Sequence, residues 1–181
     1  LIVAPPSPPE VTRGTPGDPA HTPVRALEDA TSRLLDLIRA LERADQRDQV
    51  VALMVAHLAE SHRRAGFFVM RPTENKRAHE LGLFAIEPRI EELPAATLPL
   101  DRPSTLQDVV GTRLPYRGPM HDDASRGFLA TVLGTAPAEI LLVPVAVRER
   151  VVGVLFGEQR LRHTFDDQLA LASRAAGMAL E

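Results

Sequence analysis

Apolar residues run almost unbroken from Ile140 to Val147 and again from Val151 to Phe156, with Arg148, Glu149 and Arg150 between the two runs. Ile140, Leu142 and Ala146 alternate with Leu141, Val143 and Val145, and the second run is likewise apolar at both parities. Successive strand residues point to opposite faces, so such a pair predicts a central hairpin covered on both sides. Thr164 to Leu180 then predicts an amphipathic helix, started by Thr164 with Asp167 and striped by Leu169, Ala172, Ala176 and Leu180. Upstream, Leu27, Leu34 and Leu41 recur every seven residues with Ala30, Leu37 and Ile38 between them, predicting a helix over 24–44. A second helix carries Val51, Met54, Val55 and Leu58, with Asp45 or Asp48 as its expected cap and an end near Gly66. Gly66 to Met70 predicts a strand stopped by Pro72, and Leu81 to Ile86 its hairpin return. Ser104 with Gln107 predicts a capped short helix ending at Gly111. Asp122 or Asp123 starts another, bearing Phe128, Leu129, Val132 and Leu133 and ended by Gly134 and Pro137.

Seven prolines between Pro5 and Pro23, without apolar periodicity, make 1–23 a flexible linker, which leaves 24–181 as one domain. At 181 residues and 44% hydrophobic, the chain supports one sizeable core. It opens on Leu and is expected to be a piece of a larger polypeptide. The net charge is −3 with both signs interspersed, which implies no nucleic-acid partner. Lys76 is the only lysine among 21 Lys and Arg residues, a bias expected of a GC-rich bacterial source. There is no cysteine, which removes thiolate nucleophiles, disulfides and thioether attachment of a chromophore. No apolar run approaches the roughly 20 residues of a membrane span, so a cytoplasmic location without membrane contact is expected.

The order of elements, with Glu139 to Phe156 followed by Phe165-Asp166-Asp167-Gln168-Leu169, resembles the GAF domain family of regulatory modules. The resemblance implies an α+β sandwich: a central antiparallel sheet with helices on one face and a roof of loops and short helices on the other. It also implies a non-catalytic sensory role inside a larger bacterial signalling protein. A small molecule would sit beside the sheet, near Phe68, His79, Phe84, Tyr116, Arg117, His121 and Phe128, and signals would pass through the terminal helices to adjacent domains. The alternative is a ligand-free module used for dimerisation or protein docking. A homodimer through the terminal helices is expected as well, with Leu27, Leu34, Ile38 and Leu41 at its interface. Residue by residue the resemblance mostly subtracts. Cyclic-nucleotide members carry Asn-Lys, a Phe and then Asp-Glu; here Asn75-Lys76 and Phe84 are followed by Ala85-Ile86-Glu87-Pro88, without the acidic pair. Bilin-binding and methionine-sulfoxide-reducing members need cysteines. No cofactor is identified; nucleotide, and haem with His79 or His121 as axial ligand, stand as lesser alternatives.

His121-Asp122-Asp123 combines ligand-type residues, but neighbours in sequence seldom face one ion, and an Asp before a helix serves more simply as its cap. His57 and His62, five apart, miss the i, i+4 spacing that converges on a metal. No metal site is expected. Neither a nucleophile elbow nor a phosphate-binding glycine loop occurs, so no enzyme is expected. Tyr116, the only tyrosine, and Arg117 are the polar spot closest to the expected pocket.

Overall fold

The computed structural model describes residues 21–74 and 78–159. The expected helix over 164–180, the Asn75-Lys76 pair and most of the 1–23 linker lie outside the described residues. The elements are α1 (His21–Glu42), α2 (Arg47–Ala59), β1 (His62–Pro72), β2 (His79–Glu87), β3 (Thr97–Pro99), α3 (Thr105–Thr112), β4 (Tyr116–Gly118), α4 (Asp123–Leu133), β5 (Ile140–Val147) and β6 (Arg150–Gln159). Residues 21–23, read as linker, are the start of α1.

The strands form one antiparallel sheet in the order β3-β2-β1-β6-β5-β4, so β1 and β6 are its centre. Strand alternation sorts the apolar side chains onto two faces. Phe67, Val69, Leu141, Val143, Val145 and Leu155 meet α1 and α2. Phe68, Ile140, Leu142, Val154 and Phe156 meet α3 and α4. This is the α+β sandwich that the resemblance implies, with the doubly covered hairpin that the two-parity apolar runs predict. Pro144 is tolerated inside β5 because β4 pairs only with residues Ile140 to Leu142, and among the described residues no strand lies on the outer side of β5 beyond them.

Several boundaries move. No side chain caps α2: its N-cap is Gln46, and Asp48 sits in the first turn instead. That helix ends at Ala59, and β1 starts at His62, earlier than expected. His62, Arg63 and Arg64 look too polar for a strand, but the ladder pairs His62 and Arg64 with β6 around a register shift at Arg63, and Glu158 takes both guanidinium groups. α3 runs through Gly111 and closes on Arg113 in the left-handed conformation (φ 59°). β3 and β4, three residues each, fall within segments read as loop.

The largest departure concerns α1. Ala30, Leu34, Leu37 and Leu41 form one buried stripe, and the three leucines join the core under α2 and the sheet, with Ile38 packed partly against them. Leu34 and Leu41 therefore do not face water as the interface expectation requires. Leu27 and Leu35 remain exposed, at 53% and 48%. Leu35 lies off the buried stripe, whereas Leu27 lies on it and is exposed for a reason of length. α1 has 22 residues and α2 only 13, about 33 Å against about 20 Å. Arg33 reaches Glu60, the C-cap of α2, at 3.9 Å. The first turns of α1 thus extend past the end of its neighbour.

Candidate functional site

The face under α3 and α4 is where a small molecule is expected, and its geometry starts from three phenylalanines. Phe68 on β1 stacks on Phe156 of β6, ring centres 4.4 Å apart and planes 17° apart. Phe128 of α4 closes on the same ring at 5.0 Å and 55°. Phe68 and Phe156 are wholly buried. Leu106, Leu129 and Met120 fill the space around them. The chain's own aromatic side chains thus occupy the middle of this face.

Hydrogen bonds join the helices of the roof to one another, and apolar packing holds them on the sheet. Ser104 caps α3 by accepting from the Gln107 amide at 3.1 Å. Asp122 caps α4 by accepting from the Ser125 amide at 2.6 Å. The other carboxylate oxygen of Asp122 accepts from both the amide and the hydroxyl of Thr105, at 3.0 and 2.6 Å. Ser125 in turn accepts from the Leu106 amide at 3.3 Å. One aspartate therefore fastens the starts of both helices together. Burial alone would raise its pKa, but the Thr105 hydroxyl and the Ser125 and Thr105 amides outweigh that and hold it down at about 2. Sequence reading finds Asp122 as a cap; its second attachment, to a residue 17 positions earlier, carries no local signal.

The sequence-predicted site residues do not form one site. Phe68 and Phe128 come together as packing, joined by Phe156, which the prediction missed. Tyr116 lies half-buried at the margin of this core, and its hydroxyl donates to the Pro119 carbonyl at 2.5 Å. Phe84 is on the opposite face, edge-on to Phe67 at 6.4 Å. His79 is exposed at the start of β2, and His121 is exposed before α4. Arg117 stands exposed on β4, with its guanidinium against the Gln159 side chain, which also meets Glu139. On the helix-covered side, burial beside the Arg33 guanidinium lowers the pKa of His57, and Glu60 opposes this. Among the described residues no three His, Cys, Asp or Glu side chains gather as a metal site requires.

Two concave regions among the described residues are open to solvent. One, of about 530 Å³, lies between α2 and β2, with Leu53, Ala56, Phe84, Ile90 and Leu93 in its lining. The other, of about 800 Å³, lies at the β5–β6 turn and includes Arg47, Arg113, Arg148 and Arg150.

No protein-family model matches the chain, and no curated protein matches it by sequence. Solved structures do match. The GAF domain of a phosphoenolpyruvate-protein phosphotransferase from Coxiella burnetii superposes with a TM-score of 0.62 at 15% identity, covering 83% of this chain and 91% of that one. The chain has a GAF-like fold. A segment of a methyl-accepting chemotaxis protein is similar at TM-score 0.61 and 19% identity, over 82% of this chain and 96% of the other. The fRMsr of Staphylococcus aureus is similar at TM-score 0.59 and 17% identity, over 83% and 94%. That protein is also solved in complex with its substrate, and a shared fold does not fix a function. No helix among the described residues is long and apolar enough to cross a membrane.

Proposed function

We propose that the chain is a regulatory domain of a larger bacterial signalling protein, cytoplasmic and without a reaction of its own, that acts by contact with a second copy and with neighbouring domains. The GAF-like fold, shared with a chemotaxis protein segment and a phosphotransferase domain, supports the regulatory role. The observation that carries this form of it is the stack of Phe68, Phe156 and Phe128, which fills the face where a small molecule would otherwise sit. Of the two readings open at the level of sequence, the docking module fits that filled face better than the internal ligand site. The overhanging start of α1, with Leu27 exposed, is the surface we assign to the second copy.

Native mass spectrometry of the purified chain, paired with a Phe128→Ala variant, tests this. The wild type should carry no small molecule between the sheet and α4. The variant should lose about 3–5 kcal/mol of stability and should gain binding of indole, a probe sized for the vacated space, that the wild type lacks. A small molecule bound stoichiometrically to the wild type, protecting α3 and α4 from hydrogen exchange, would establish the internal-ligand reading instead.

A further inference from the structure

The concavity at the β5–β6 turn gathers cations from three separate elements. Arg47 is the first residue of α2, Arg113 closes α3, and Arg148 and Arg150 flank Glu149 at the turn. Glu149 is the single carboxylate in a lining that also includes Met70 and Val152. No carboxylate among the described residues lies within ion-pair distance of Arg47, Arg113 or Arg150.

Backbone geometry singles out the same place. Among the described residues the non-glycine positions with left-handed φ are Arg113 (59°) and Arg148 (55°), and both line this concavity. One ends a helix and the other opens a tight hairpin turn, and at both kinds of position glycine is the default. Side chains rarely adopt that conformation without cost, and residues held in it concentrate at functional sites. Here both deviations set an arginine at the rim of one concavity. Its volume of about 800 Å³ falls within the range of small-molecule sites.

We propose that this concavity binds a small phosphate-bearing organic anion, with the phosphate oxygens on the guanidinium groups and an apolar body on Met70 and Val152. Guanidinium forks pair with phosphate in two-pronged hydrogen bonds, and those of Arg47, Arg113 and Arg150 against one carboxylate select for more than one negative charge. Because the groups come from α2, α3 and the hairpin, occupancy would tie together elements from both faces of the sheet. The site goes beyond the docking role and is independent of whether anything enters between the sheet and α4.

Calorimetric titration of the whole chain with inorganic pyrophosphate and with phenyl phosphate, using phenol as control, tests the assignment. Both phosphates should bind and phenol should not. An Arg113→Gly/Arg148→Gly variant should bind at least about tenfold more weakly, the loss of roughly one charged hydrogen bond. It should melt no lower than the wild type, because glycine suits both φ values. If that variant fails to fold, Arg47→Gln, at an exposed helix start, decides by a several-fold weakening. Failure of the wild type to bind either phosphate, or binding unchanged in these variants, overturns the site. Binding of pyrophosphate without phenyl phosphate overturns the apolar half of the assignment.

Discussion

Gly153 sits in the central strand β6 opposite Val69 of β1 and Val145 of β5. Two-sided burial predicts that a side chain there would press on a covering helix or roof. The structure locates the obstruction elsewhere: a Cβ would run into the ring of Phe67 and the backbone carbonyl of Phe68, both on the adjacent strand. A carbonyl within a sheet ladder cannot swing aside as the end of a flexible side chain can. Gly153→Val should therefore cost about 3 kcal/mol or more, at the upper end of overpacking penalties. Urea unfolding of the variant measures this, and wild-type stability would show that the strand can shift.

At the scale of elements, α3 and α4 are short, and their positions depend on Asp122. Its carboxylate is bound more tightly by the fold than by water, as the pKa lowered from 3.8 to about 2 records. The sign follows directly. The contribution is full above the ordinary carboxylate pKa and is lost as pH falls through the folded value. Part of the carboxylate stays wet, so screening leaves about 1 kcal/mol rather than the full linkage. Asp122→Asn should keep the helix caps, lose about that amount at pH 5, and lose less than the wild type between pH 5 and pH 2.5. Parallel acid-branch curves for the two proteins would remove Asp122 from this role. Ser104 and Gly134 were legible as helix boundaries because capping is local. The α2 cap was misread because Asp45 and Asp48 are suitable residues at positions where the backbone does not present them to the helix start.

For the whole molecule, the deciding question is which side of α1 is inside. Leu34 and Leu41 are 8% and 2% exposed within one chain, whereas Leu27 and Leu35 stand out in water. Leu34→Glu/Leu41→Glu should unfold the chain by burying two unpaired charges. Leu27→Glu/Leu35→Glu should leave it folded and turn the proposed dimer into a monomer. Circular dichroism and sedimentation velocity together check both outcomes. A folded Leu34/Leu41 variant would overturn the packing of α1 on α2, and a wild type that is monomeric at high concentration would remove the dimer.

The sequence by itself determined the central hairpin, because apolarity at both parities in 140–156, broken by a short charged turn, points to a strand pair covered on both faces, and the resemblance to GAF domains supplied the sandwich around it. It also determined that α1 has an apolar stripe, because a 3.6-residue period brings Ala30, Leu34, Leu37 and Leu41 to one side. Only the tertiary structure decided what that stripe touches, since a heptad looks the same whether it meets its own sheet or another chain. The filled face beneath α4 was decided there too: Phe68, Phe128 and Phe156 are far apart in the chain, and the register of β1 against β6 brings Phe68 and Phe156 together. The arginine rim has the same origin. Arg47, Arg113 and Arg148 share no motif, and they converge because two helix ends and one hairpin turn meet at the same end of the sheet.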